Sequence, residues 1–225
     1  VDFLLDVSRR CAGELVIIAQ APLTNLALAV RQDATFSDRV KALYIMGGTN
    51  NSVGNVLPLS EYNFFVDPEA ARIVFHAGFN IRLVPWDVCL QDSVVLRRDL
   101  DALAGLDTPL SRFFLATQRK VWEFNRRTAG IDGTTHPDAI TVACALEETI
   151  WQEGFFAFVD IETAGELTRG ASVVDTVGSF GRPANAAVCT RADGNRFRQA
   201  LWSMLQTGST GLVVRPRDFG HDRVY

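Results

Sequence analysis

Three short, nearly continuous apolar runs restrict this chain to a narrow set of folds. Residues 14–19 (ELVIIA), 40–46 (VKALYIM) and 81–85 (IRLVP) lack the polar alternation of a strand with one face in water. Runs of this kind suit strands buried on both faces, as in parallel sheets. Helix signals separate them. Pro22 opens a segment that carries Leu23, Leu26, Ala27 and Val30 on one face. Asp67 is an N-cap ahead of Pro68 at the first helical position, and Glu69 complements the positive end of the dipole. Ala70, Ala71, Ile73 and Val74 then give an apolar face before Gly78. Strand, helix, strand, loop and helix, strand is the order of right-handed parallel crossovers. The sequence therefore predicts an α/β fold: a mostly parallel, Rossmann-like sheet flanked by helices.

Further along, residues 110–127 read as a long helix with Phe113, Phe114, Val121, Trp122 and Phe124. A polar loop over 128–137 precedes a small-residue helix over 139–146. Residues 155–161 and 172–177 read as short strands, a hairpin outside the parallel core. Residues 185–188 read as one more strand, and 195–206 as a helix with Phe197, Leu201, Met204 and Leu205 at helical spacing. No repeat, low-complexity tract or linker interrupts the chain. One domain is expected over residues 1–207, with 208–225 a peripheral C-terminal tail. Ligands of such sheets gather at the carboxyl ends of the strands. Here those ends are Gln20, Met46 to Gly48, and Trp86 with Asp87.

Composition narrows the function. The net charge is −4, with no basic run, so a phosphate-tracking nucleic-acid surface is not expected. Arg outnumbers Lys twenty to two, but the arginines are scattered. The four cysteines stand far apart without a CxxC pair, which argues against zinc and for free thiols in a reducing cytoplasm. No apolar stretch reaches membrane-spanning length and no signal peptide opens the chain, so no membrane partner is expected.

The segment GNVLPLSEYNFFVDPEAARIV, residues 54–74, holds most of the chemistry. Asn55, Glu61 and Asn63 stand in a loop punctuated by Gly and Pro, just ahead of the helix that starts at Pro68. Amides and a carboxylate so placed suit a polyhydroxylated ligand such as a sugar; a polar surface loop is the plain alternative. The segment resembles the ribose-binding loop of the inosine-uridine-preferring nucleoside hydrolases, GN, a gap, E-[FY]-N, then DPEAA. Residues 21–27 (APLTNLA) resemble that family's GPLTNLA, and residues 44–48 (YIMGG) its strand ending in MGG.

The resemblance implies a calcium-dependent hydrolase that splits ribonucleosides into ribose and base. It implies that Asn55, Glu61 and Asn63 bond the sugar hydroxyls and that Met46 packs against the ribose. Asp138, in HPDAITVACAL, matches a calcium-ligating Asp, and Gln20 matches a position whose backbone carbonyl is another ligand. A plain N-cap is the other reading of Asp138. Cleavage of a ribosyl C1′–N bond passes through an oxocarbenium-like sugar, and a hard cation can hold the 2′- and 3′-hydroxyls and acidify a water. Family members often carry a leaving-group acid, a His, directly before the calcium-binding Asp; here Pro137 stands there and His136 lies one residue earlier. Trp86 and Trp122 are either stacking partners for a base or core residues, Asp87 caps the following turn, and His76 and His221 carry no motif. The family also opens with an Asp cluster (DTDxxxDDA) that supplies two more calcium ligands and the general base. Asp2 and Asp6 have the wrong spacing for it, and the first residue is Val, so an N-terminally incomplete sequence is expected. Homodimers or homotetramers are implied by the resemblance. Two rivals remain: a non-catalytic riboside-binding or assembly relative, and a phosphate cradle formed by GGTNNSVGN, which lacks a P-loop Lys.

Overall fold

The computed structural model describes residues 1–208, which fall into two compact units. Val1–Asp87 with Glu153–Thr190 make the first, and Val88–Gln152 with the chain from Arg191 make the second. The tail expected beyond Gly208, His221 included, lies outside the described residues. In chain order the first elements are α1 (Asp2–Arg10), β1 (Leu15–Ala19), α2 (Thr24–Gln32), β2 (Val40–Met46), α3 (Tyr62–Val66), α4 (Pro68–Phe75) and β3 (Ile81–Val84). Then come α5 (Trp86–Asp92), β4 (Val95–Leu96), α6 (Arg97–Ala104), α7 (Pro109–Thr128), β5 (Gly133–Thr134) and α8 (Pro137–Leu146). The last are β6 (Trp151–Ile161), β7 (Ser172–Asp175), β8 (Ala186–Ala192) and α9 (Gly194–Thr207).

A six-stranded sheet in the order β1-β2-β3-β8-β6-β7 organises the first unit. The pairs β1–β2, β2–β3 and β3–β8 are parallel, and β6–β7 is antiparallel. The mostly parallel α/β architecture thus follows the apolar runs. Register sets Ala19 beside Ile45 and Met46 beside Val84, so the first three strands end at one level. Leu43, Ile45, Ile81 and Leu83 point into a core with Leu26 of α2, Val74 of α4 and Phe64 of α3. Phe64 meets Phe75 edge to face at 5.6 Å between centroids, an arrangement aromatic quadrupoles favour.

Asp67 joins two parts of this frame. Its Oδ1 accepts the Ala70 N–H at 3.0 Å, the N-cap bond of α4, and its Oδ2 accepts the Thr24 hydroxyl at 2.5 Å. The N-termini of α2 and α4, which carry the PLTN and DPEAA sequences, are therefore tied through one carboxylate.

Several expectations need correction. The hairpin of β6 and β7 is antiparallel and stands outside the parallel strands, but it continues the same sheet, because β6 sits beside β8, a strand contributed by a later segment. Trp86 and Asp87 open α5. The short helices α3, α5 and α6 carry too few turns for a visible period. Asp138 is not an N-cap: His136 holds that position without a side-chain cap, Pro137 follows, and Asp138 lies in the first turn of α8.

In the second unit α7 starts at a reciprocal capping box between Thr108 and Ser111 and packs against α6 and α9. The Thr108 hydroxyl also donates to the Leu205 carbonyl at 2.7 Å, which anchors the end of α9. Cys89, Cys144 and Cys189 are buried and Cys11 is exposed. Among the described residues no helix is long and apolar enough to cross a membrane.

Replacing Asp67 by Ala removes the cap and the Thr24 tie together, with an expected loss of about 1–2 kcal/mol in urea unfolding. A Thr24→Val, Asp67→Ala double-mutant cycle should show non-additive costs.

Candidate functional site

Glu61 organises the loop that follows β2. Its side chain is 2% exposed, and its carboxylate accepts three backbone N–H groups. Oε2 takes Gly48 at 2.9 Å and Phe64 at 3.4 Å, and Oε1 takes Asn63 at 2.9 Å. A buried carboxylate is tolerable only with such partners. Two of these bonds make Glu61 the N-cap of α3. Cap and turn together place Asn63, whose amide donates to the Met46 carbonyl at 3.1 Å and faces Met46 Sδ at 3.2 Å. Asn55 is one bond away: its Oδ1 accepts the Tyr62 N–H at 2.9 Å.

Close approach explains the two glycines after Met46. A Cβ on Gly47 would stand 2.5 Å from the Phe64 ring, and one on Gly48 would stand 2.6 Å from it. Gly48 also has φ +61°, a left-handed conformation that suits glycine. At Gly54 a Cβ would fall 2.1 Å from the Ser60 carbonyl, where the loop folds back on itself. Asp87 accepts the Asn50 N–H at 2.7 Å, and Trp86 is buried.

The structure thus joins Met46, Glu61 and Asn63 directly, with Asn55 adjacent. Gln20 follows Ala19 at the end of β1 and reaches the level of Met46. His136 and Asp138 belong to the second unit. There the backbone of the preceding loop is held by buried Asn125, whose amide donates to the Gly133 carbonyl at 3.1 Å and to Thr135 Oγ1 at 3.3 Å. The His136 N–H donates to Ser93 Oγ at 2.9 Å, and its Nε2 lies 2.8 Å from Thr134 Oγ1. The ring stacks on Phe114 at 5.3 Å. Desolvation in this packing lowers the His136 pKa to about 4, so the imidazole is neutral at pH 7. Desolvation also raises the pKa of Asp138, although its side chain reaches solvent. Trp122 lies beneath Arg97 at 4.9 Å and Arg126 at 5.5 Å, and donates to Asp132 at 2.8 Å.

The Asp138 carboxylate and the Gln20 carbonyl are hard oxygen donors of the type calcium takes, but a full shell needs six to eight. No group of three or more His, Cys, Asp or Glu side chains suited to a metal occurs among the described residues.

Two contributors escaped the sequence reading. Thr24, the partner of Asp67, sits in the recognised PLTN segment, but nothing local marks the tie. Ser172 bonds Thr49 across 123 positions, and no local pattern signals such a pair.

Fold and loop define the class first: a mostly parallel α/β protein with its candidate ligand groups at the carboxyl edge of the sheet. Residues 1–199 match the family described as inosine-uridine preferring nucleoside hydrolase, and the chain belongs to that family. The pyrimidine-specific ribonucleoside hydrolase RihA of Shewanella oneidensis is 32% identical over 196 residues, 84% of this chain and 58% of that protein. RihA of Shewanella woodyi is 33% identical over 209 residues, 89% of this chain and 64% of that protein. A solved plant nucleoside hydrolase, PpNRh1, superposes with a TM-score of 0.84 at 27% identity, covering 92% of this chain and 66% of the other. The chain therefore spans 58–66% of the length of these relatives.

Glu61→Ala would strand three N–H groups, all of them on buried residues, and should cost at least about 2 kcal/mol in denaturant unfolding. The unfolded chain, with an ordinary imidazole, takes up a proton near pH 6.5, whereas folded His136 does so only near 4. Protonation therefore favours unfolding in that window. Stability should be full above pH 6.5 and fall by up to ~3 kcal/mol toward pH 4. A His136→Phe variant should flatten that part of the acid limb in pH-dependent urea titrations.

Proposed function

We propose that this chain forms the sugar-binding part of an N-ribosyl hydrolase that splits ribonucleosides into ribose and free base. The observation that carries the reading is the Met46–Glu61–Asn63 arrangement, preorganised at the carboxyl edge of the sheet in a chain of this family. Glu61 fixes the loop, and Asn55 and Asn63 offer amides to sugar hydroxyls. Met46 supplies an apolar wall for the ring. Orientation of this kind holds C1′ against an attacking water and lowers the entropic part of the barrier.

Asp138 and the Gln20 carbonyl are proposed, each as an oxygen ligand, for calcium, which when bound supplies positive charge to the ribose diol and acidifies a water. His136 is proposed at the leaving group as a neutral N–H hydrogen-bond donor to the departing base. With its pKa lowered to about 4 it is not the proton donor at pH 7, and the proton the base takes up comes from water. The family resemblance further suggests a homodimer or homotetramer in the cytoplasm. The relatives named RihA act on pyrimidine ribonucleosides, and uridine and cytidine are accordingly the first substrates to offer.

The test is reducing-sugar release from uridine, cytidine, inosine and guanosine, with and without chelator. Chelator-sensitive release is expected of a protein of the relatives' full length that contains this chain, falling roughly 100-fold in Asn63→Ala because a site built for hydroxyls loses a partner. Asp138→Ala should abolish both the release and calcium binding seen by calorimetry. Binding of ribosides without any release by that full-length protein would contradict the hydrolase and favour a riboside-binding relative.

A further inference from the structure

The turn after β2 meets β7 through side chains, not through a backbone ladder. β7 is the last strand of the sheet, paired on one side with β6. On its other side, the Asn51 amide donates from Nδ2 to the Val174 carbonyl at 2.8 Å, and Asn51 Oδ1 accepts the Val174 N–H at 2.9 Å. One primary amide thus copies both bonds of a neighbouring strand. Asn51 holds φ +54°, in the left-handed region that Asn tolerates better than most side chains. Two residues earlier in the turn, the Ser172 hydroxyl accepts the Thr49 N–H and donates to the Thr49 carbonyl, each at 2.7 Å. Ser60, at the far end of the same loop, bridges Ala171 and donates from Oγ to the Arg169 carbonyl at 2.6 Å.

These contacts converge on Gly48. Its position is confined by the Phe64 ring on one side and the Ser172 hydroxyl on the other, since a Cβ there would stand 2.7 Å from Ser172 Oγ. Gly48 in turn donates to Glu61, and Glu61 caps the turn that carries Asn63. The path from β7 to the sugar-directed amides therefore runs through hydrogen bonds of ordinary length, all within the first unit. The turn itself contributes nothing to the main hydrophobic cluster, and Asn51 reaches solvent. Its amide is thus placed to order the loop and not to support the core.

We propose that Asn51 and Ser172 are positioning residues, which lock the turn after β2 to the outer edge of β7 and thereby set Glu61, Asn63 and Met46 for the sugar. The inference rests on the sugar-site reading above and deepens it. Neither residue touches the sugar in this account. Their effect is on how much of the loop population is ready to bind, which appears as weakened affinity.

The test uses the full chain, with ribose as the probe, calorimetric affinity and amide hydrogen exchange. Asn51→Gly keeps the positive φ and loses both bonds to Val174. It should weaken ribose binding roughly tenfold, as the loss of two neutral hydrogen bonds allows. Exchange at residues 47–54 should speed up while the amides of β1, β2 and β3 keep their protection. Asn51→Asp, which keeps only the acceptor for the Val174 N–H, should fall between Gly and Asn, and Ser172→Ala should resemble Asn51→Gly. Unchanged ribose affinity in Asn51→Gly would overturn the inference. So would a loss of protection across the whole sheet, which would assign Asn51 to stability alone. Failure of the unmutated chain to bind ribose would overturn the sugar-site reading itself, and the inference with it.

Discussion

A carboxylate taken out of water is the constraint on which the candidate site depends. Glu61 is nearly inaccessible, and its charge is sustained by N–H groups from Gly48, Asn63 and Phe64. Those three residues come from two segments, the turn after β2 and the start of α3. The loop cannot relax away from that arrangement without stranding either the charge or its donors. Sequence features around it then acquire one shared cause. Two glycines follow Met46 because Phe64 packs where their side chains would be, and Asn63 meets Met46 because Glu61 caps its helix.

The motifs are also coupled to one another. Thr24 reaches Asp67, so the helix after β1 and the helix after the sugar-directed loop share a carboxylate at their N-termini. Parallel register brings the ends of β1, β2 and β3 to one level, where the loops emerge. In the second unit a different logic holds. His136 is kept neutral by aromatic packing, while Asn125 and Ser93 fix the backbone that leads into α8.

Strands β2 and β3 were legible because burial on both faces removes polar residues from the run, and β2 begins and ends where the sequence places it. By contrast β1, at the edge of the sheet, is only partly buried along its whole length. Asp67 and Pro68 marked α4 equally well, since a cap and a first-turn proline act locally. Pairing across long separations left no such mark. Nothing in residues 151–161 reveals that β6 sits beside β8, and nothing near Asn51 points to Val174, 123 positions away. Of the candidate site, the residue types in the loop were legible, but not that Glu61 would be engaged by backbone donors. Asp138 looked like an N-cap because Asp often is one, yet Pro137 takes the first helical position and moves the cap back to His136.

The most direct measurement is a titration of the ¹⁵N-labelled chain with ribose, followed by two-dimensional amide spectra. The account expects saturable shifts centred on Gly48, Asn55 and Asn63, with 2-deoxyribose giving weaker saturation. Saturable shifts confined to residues away from this loop, or none at all with ribose at high concentration, would contradict a sugar site organised by Glu61.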